Sequence, residues 1–179
     1  GLESARREIK LIETLLSATK VDAARLQLYL VKVDFKDVVR DGIEGQRFKA
    51  DEKELNIIFN EPETEIITYC DRTRIQEVMD NFLSNAVKYT MKGDINIDVW
   101  EQGEFGWISI RDTEIGVSEE DLQKLGRKFF RARQYIGGED DTKVVRPGGT
   151  GLGLYVTFEL VKIMGGQLYI NSKLGEGTT

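Results

Sequence analysis

With 179 residues and 20.3 kDa, the chain is one medium domain or a small domain with an appendage, long enough to bury a core without staples. Its 31 acidic against 25 basic residues give a net charge of -6, which lacks the basic footprint of a general nucleic-acid binder. A histidine count of zero excludes Ser-His-Asp and Cys-His nucleophiles and HExxH sites. The single cysteine, Cys70, excludes an internal disulfide and points to a reducing compartment. Any metal is therefore expected to be a hard cation on oxygen ligands, magnesium first. Nothing resembles a signal peptide or a membrane-spanning run, so a cytoplasmic chain is expected, whether or not its parent is anchored in a membrane.

In chain order, residues 3 to about 27 read as a helix. Ile9, Leu11, Ile12, Leu15, Leu16, Ala18, Val21 and Leu26 recur at helical spacing, and the gaps are charged. That face is wide for a lone helix. A partner helix or dimer seam would cover it; the alternative is docking onto the chain's own body. Leu28 to Val33 is a short strand, and Asp34 opens a helix through Phe35, Val38, Val39 and Ile43. Leu55 to Phe59 and Ile66 to Tyr69 are strands, and Asp71 is the N-cap of a helix running to about Thr90. Ile95 to Trp100 and Trp107 to Arg111 alternate as a hairpin, with Gly103 and Gly106 in its connection. Ser118 opens a short helix with acids at its positive end.

Ten of the 18 glycines lie between Gly137 and Gly177. Residues 132 to 149 read as a long mobile loop without periodicity. A helix from about Gly151 to Met164 and a strand around Leu168 to Asn171 follow. Thr179 falls where another strand could start, so the parent chain is expected to continue. The fold class is α/β (α+β), with a mixed, mostly antiparallel sheet, because a hairpin excludes an all-parallel one.

Three features carry chemistry. On the helix of residues 72 to 90, Ile75, Val78, Met79, Phe82, Leu83 and Ala86 form one face, and Glu77, Asn81, Asn85 and Lys88 the other. Asn is a mediocre helix former, so two in mid-helix cost stability. An Asn carbonyl can ligate magnesium and a Lys can neutralise phosphate, although such a stripe is more often a solvated face. Gly148-Gly149-Thr150-Gly151-Leu152-Gly153-Leu154 opens a helix, where backbone N–H groups and the dipole favour an anion. It is neither a Walker loop nor a dinucleotide-fold turn, which would follow the first strand. Asp112, just beyond the second hairpin strand, can accept from an amine, although a lone Asp in a turn is usually a turn former.

Together, in order and spacing, these features resemble the ATP-binding catalytic domain of bacterial sensor histidine kinases, in the GHKL superfamily, over residues 28 to 179. Asn81-Phe82-Leu83-Ser84-Asn85-Ala86-Val87-Lys88-Tyr89-Thr90 resembles the N box. Asp112 to Gly116 resembles the first glycine box, Phe129-Phe130-Arg131 the end of the F box, and Gly149 to Leu154 the second glycine box. Gly165-Gly166 and Gly175-Glu176-Gly177-Thr178 resemble the closing segment. Residues 1 to 27 resemble the second helix of the dimerisation and phosphoacceptor hairpin.

The resemblance implies a Bergerat-type sandwich, its sheet covered by helices on one face and preceded by one N-terminal helix. It implies that Asn85 ligates the magnesium of ATP, Asn81 lines the site, Lys88 approaches phosphate and Tyr89 the nucleoside. Asp112 would accept from the adenine amino group, with Gly116 and Thr178 near the base. A lid over about 129 to 149 would direct Arg131 at the γ-phosphate side. Gly149, Thr150, Gly151, Leu152 and Gly153 would form its hinge and phosphate cradle. The implied partners are ATP, a phosphoacceptor hairpin absent from this chain, a response-regulator receiver domain and, in the parent protein, a second copy in a homodimer. With no histidine, this chain cannot phosphorylate itself on His.

The pattern has departures. Glu114 replaces a glycine of the first box, which predicts weakened nucleotide binding. Gly126 stands where the F box has an aromatic, and Met164 where a His is common. The rivals are a degenerate nucleotide-binding scaffold and a GHKL-type serine kinase or ATPase. Asn81 occupies the position of the hydrolases' general base and cannot act as one.

Overall fold

Asp34 ends one element and starts the next. It closes strand β1 (Leu30–Asp34), and its Oδ1 accepts the N–H of Lys36 at 3.0 Å, which caps helix α1 (Phe35–Glu52). The same oxygen accepts the Ile66 N–H at 3.2 Å, tying the helix start to the approach of strand β3 (Ile67–Asp71). Strand β2 (Asn56–Asn60) lies between them in sequence. The computed structural model describes residues 9, 12–13, 15–19, 26–113, 115–132, 134–136, 143–145 and 150–179.

Asp71 repeats the device. It ends β3 and caps helix α2 (Arg72–Tyr89), its Oδ1 accepting the N–H of Thr73 and Arg74 at 3.0 and 3.1 Å. Its Oδ2 accepts the Tyr29 N–H at 2.9 Å, so the chain entering β1 is fastened to the same carboxylate. Strands β4 (Asp94–Gln102) and β5 (Phe105–Asp112) form the hairpin. Helix α3 (Glu119–Leu122), strands β6 (Gln134–Ile136) and β7 (Lys143–Val145), helix α4 (Gly153–Ile163), and strands β8 (Ser172–Lys173) and β9 (Gly177–Thr178) complete the order.

The main sheet runs β2-β4-β5-β9-β8. Only the β2–β4 pairing is parallel, so the sheet is mixed and mostly antiparallel, as expected. Ile95, Ile97 and Val99 alternate toward α1 and α2, and the core joins them to Val38, Val39, Met79, Leu83 and Val87. Each fully buried aliphatic side chain contributes about 1.5–3 kcal/mol. Helices α1 and α2 touch closely: a Cβ on Gly42 would stand 2.9 Å from Met79 Cγ. The opposite face carries Asn56–Asp94 and Asn60–Asp98 hydrogen bonds, both 2.8 Å, and a stack of Trp100, Trp107 and Tyr169. The helices thus cover one face, as the resemblance implies.

A second cluster joins Val78 of α2 to Val156 and Leu160 of α4, to Leu152 just ahead of that helix and to Ala18 of the N-terminal segment. The described residues of that segment, Ile9, Ile12–Glu13 and Leu15–Thr19, are helical. Ala18 docks onto the chain's own body, whereas Ile9, Ile12, Leu15 and Leu16 stay exposed.

Several expectations are corrected. The loop expected over 132–149 contains the antiparallel β6–β7 pair. Tyr135-Ile136 and Val144-Val145 are good strand formers, too short to register as a period. Gly106 lies within β5, against the Phe35 ring, and the hairpin turns at Gly103, whose φ is 64°. Helix α4 starts at Gly153 rather than Gly151, because Gly151 adopts a φ of 71° that no helix contains. The strand expected at Leu168 to Asn171 begins instead at Ser172, although Asn171 and Thr179 exchange two backbone hydrogen bonds of 2.9 and 2.7 Å.

Burial raises the Asp71 carboxyl's pKa, but the three N–H donors from Tyr29, Arg74 and Thr73 outweigh it, and the group ends below its ordinary value. Its contribution is complete above the ordinary carboxylate range and is lost as pH falls through the lowered native value. Asp71→Ala should lower stability by about 1–2 kcal/mol at neutral pH, the cost of an N-cap. The deficit should shrink in acid, as followed by urea denaturation at several pH values.

Candidate functional site

Helix α2 has its apolar face in both clusters, so its other face is directed away from the core. On that face Asn81 and Asn85 are half-buried, and Lys88 is exposed. The helix's final turn is held by Lys53, whose Nζ donates to the carbonyls of Val87 (2.8 Å), Lys88 (2.7 Å) and Thr90 (3.2 Å). An ammonium at the negative helix end suits the dipole. Lys88 Nζ donates to Tyr89 Oη at 3.0 Å and lies 4.6 Å from the Tyr89 ring centre, so these two predicted site residues come as a pair.

Asn81 reaches across to α4. Its Nδ2 donates to Thr157 Oγ1 at 2.6 Å, and that hydroxyl donates to Gly153 O at 2.9 Å. A Cβ on Gly153 would lie 2.8 Å from Asn81 Oδ1. Gly153 is therefore what lets the amide-bearing helix approach the start of α4. Leu152 is buried in the second cluster, and its N–H donates to Thr150 Oγ1 at 3.1 Å, which closes the turn ahead of the helix. Gly149 lies outside the described residues. Among the described residues Asn85 makes no side-chain hydrogen bond, so its carbonyl oxygen is available to a ligand.

The root of the expected lid is knitted to the same turn. Phe129 N–H donates to Gly151 O at 2.9 Å, and a Cβ on Gly151 would fall 2.6 Å from the Phe129 carbonyl carbon. Phe129 itself holds a φ of 62°, unusual for a non-glycine residue. Arg131 follows two residues on, half-buried. Gly126 has a φ of 82° and faces the Phe158 ring of α4, whose Cδ2 would be 2.9 Å from a Cβ there. Phe158 brings to this corner the ring that Gly126 lacks.

At the other end, the carboxylate of Asp112 is buried at the end of β5, and its Oδ1 accepts the Thr178 N–H at 3.0 Å. Gly116, with a φ of 75°, lies so close to the closing strands that a Cβ would stand 2.1 Å from Lys173 O. The turn between them is fastened by Gly175 N–H to Ile115 O at 2.6 Å. Glu114 lies outside the described residues. The predicted residues thus gather in two linked groups: α2 with the start of α4, and Asp112 with Gly116 and Thr178.

A family model described as histidine kinase-, DNA gyrase B-, and HSP90-like ATPase matches residues 70–179. The chain belongs to that family. Sensor histidine kinase WalK of Bacillus subtilis is 32% identical over 179 residues, covering 97% of this chain and 28% of WalK. Histidine protein kinase DivJ of Caulobacter vibrioides is 32% identical, covering 99% of this chain and 28% of DivJ. Full-length ShkA, solved in complex with AMPPNP, superposes with a TM-score of 0.80 at 26% identity, over 98% of this chain and 35% of ShkA. Acinetobacter baumannii histidine kinase AdeS, at 23% identity and a TM-score of 0.77, shares the fold. The chain spans about 28% of the length of the curated relatives named here.

Within this ATPase family fold, sequence reasoning missed Thr157, a hydroxyl on the same helix face as the apolar Leu160 and Val161. A small hydroxyl residue at a core-facing helix position was the available signal. It also missed Lys53, whose role depends on a contact 34 to 37 residues away. Among the described residues no helix is long and apolar enough to cross a membrane.

Thr157→Val should leave the Asn81 amide without its partner and cost about 1–3 kcal/mol. Gly116→Ala should cost at least as much, since strain in φ adds to a collision with the Lys173 carbonyl. Equilibrium urea unfolding of both variants against the parent measures this.

Proposed function

We propose that this chain is the ATP-binding catalytic domain of a two-component sensor histidine kinase. It would donate the γ-phosphoryl group of magnesium-ATP to a histidine on a helical hairpin outside this chain, for relay to an aspartate of a response-regulator receiver domain. The observation that carries this reading is the Asn81–Thr157–Gly153 connection, which brings an amide-bearing helix against a glycine-opened helix start. An anion at that start would meet free N–H groups and a positive dipole end. The family match, the kinase relatives and the AMPPNP bound to ShkA support it.

Among the described residues no group of three or more Asp, Glu or Cys could hold a bare metal ion. A magnesium ion carried by the triphosphate would be held on the protein side by the amide oxygen of Asn85. When bound, the ion would supply neutralisation of phosphate charge. The residues supply the rest by positioning. Asp112 accepts from the exocyclic amine of the base, with Gly116 and Thr178 beside it. Tyr89 lies against the nucleoside, Lys88 offsets phosphate charge, and Arg131 approaches from the lid side over 129–149. Thr150, Leu152 and the glycines at 149, 151 and 153 shape the phosphate cradle. The attacking imidazole nitrogen comes from outside, so this chain positions and neutralises, and the acceptor supplies the nucleophile.

Transfer is favoured over hydrolysis by what the helix lacks. Asn81 is an amide engaged with Thr157, and Glu77 is paired with Arg74 at 2.8 Å, so neither is placed to take a proton from water. The exposed Ile9, Ile12, Leu15 and Leu16 suit the remainder of a dimeric helical hairpin.

Radiolabelled ATP with the upstream hairpin supplied in trans tests the proposal. Label on the hairpin histidine is the expected result; ATP binding without transfer would mark a nucleotide-sensing scaffold. Asn85→Ala should weaken magnesium-dependent ATP binding by about ten-fold or more, and Asp112→Asn by a similar factor. Glu114→Gly should tighten ATP binding, and equal affinities would remove any inhibitory role for Glu114.

A further inference from the structure

Ser172, on β8, touches both segments that frame Asp112. Its Oγ accepts the Val117 N–H at 2.8 Å, lies 3.0 Å from Gly177 O and lies 2.9 Å from Thr178 Oγ1. A serine hydroxyl has one hydrogen and two lone pairs. A carbonyl can only accept, so the hydrogen goes to Gly177 O. The Val117 N–H occupies one lone pair. The other must receive the hydrogen of Thr178. If Ser172 donated to Thr178 instead, no hydrogen would lie between its oxygen and Gly177 O, and two acceptors would face each other at 3.0 Å. One arrangement satisfies all three contacts, and in it Thr178 spends its hydrogen inward.

The neighbouring groups follow from this. Thr178 donates its backbone N–H to Asp112 Oδ1 at 3.0 Å, so the hydroxyl and the carboxylate belong to residues paired across β5 and β9. An ionised carboxylate only accepts. The Thr178 hydroxyl, its hydrogen committed to Ser172, also only accepts on its remaining side.

We propose that Ser172 is the positioning residue that sets base selectivity: by taking the Thr178 hydrogen, it keeps Thr178 as a second acceptor beside Asp112, so that the pair welcomes a base with an exocyclic amine and rejects one with a carbonyl oxygen in its place. This rests on the nucleotide reading above. Two facing acceptors leave a carbonyl oxygen without a donor, and a polar group buried unpaired is costly.

Affinities of the whole chain for ATP and ITP, measured by calorimetry with magnesium, test it. ITP differs from ATP in carrying oxygen where adenine carries the amine. In Ser172→Ala the Thr178 hydroxyl is free to turn and donate, so ITP should bind more tightly and the ATP preference should fall by about ten-fold. Ser172→Thr retains the hydroxyl and should keep the preference within about two-fold. Thr178→Val, which leaves Ser172 its other two contacts, should weaken ATP by roughly three- to ten-fold without any gain for ITP, and serves if Ser172→Ala does not fold. A rise in ITP affinity would not come from loosened strands alone. An unchanged ATP-to-ITP ratio in Ser172→Ala, or in Thr178→Val should the alanine variant not fold, overturns the role of Ser172 and leaves the nucleotide site standing. Failure of the parent chain to bind either nucleotide overturns both.

Discussion

Three carbonyls at the end of α2 converge on the ammonium of Lys53, and two N–H groups at its start, with a third from Tyr29 ahead of β1, converge on Asp71. The helix is thus pinned at both ends by charges that suit its dipole, one to the turn after α1 and the other to the entry of β1. Everything else in the molecule uses this element. Its apolar face is shared by the two core clusters, and its polar face carries Asn81, Asn85 and Lys88. Because both ends are fixed, the polar stripe is held at a set rotation against α4, and the Asn81–Thr157 hydrogen bond is affordable at 2.6 Å.

The same economy governs the glycines. Gly153 admits the Asn81 amide, Gly151 admits the Phe129 backbone, and Gly116 admits the Lys173 carbonyl. Each is a place where two chain segments meet closer than a side chain allows, and each lies at a predicted site residue. A run of glycines that reads as a flexible loop is, from Gly151 onward, a set of close approaches. The fold positions the site by bringing main chain against main chain, with few ionisable groups; burial pushes the one thiol, Cys70, up to about 11, which keeps it inert at neutral pH.

What was legible in the sequence follows the length of the signal. Helix α2 could be read from a 3.6 period over 18 residues and an Asp at its start, and β4 and β5 from alternation around Gly103. Asn81, Asn85, Lys88, Asp112 and the glycine turn stood out because their residue types are costly or odd where they fall. The β6–β7 pair was missed because three residues per strand hold no period, and β8 because two residues hold even less. Thr157, Ser172 and Lys53 escaped for another reason. Each acts through a contact with a distant segment, and side-chain spacing along one element carries no trace of it. Gly126 read as a defect until the Phe158 ring, from another helix, was seen beside it.

The central claim is that one nucleotide lies along α2, from Asp112 and Thr178 at its base end to the start of α4 at its phosphate end. Amide chemical shifts of the isotopically labelled protein, titrated with a non-hydrolysable ATP analogue and magnesium, map contact directly. The account predicts that the largest changes fall on Asn81 to Tyr89, Asp112 to Val117, Thr150 to Leu154 and Gly177 to Thr178. Changes centred on the open sheet face around Trp100 and Trp107, with these segments still, would contradict it.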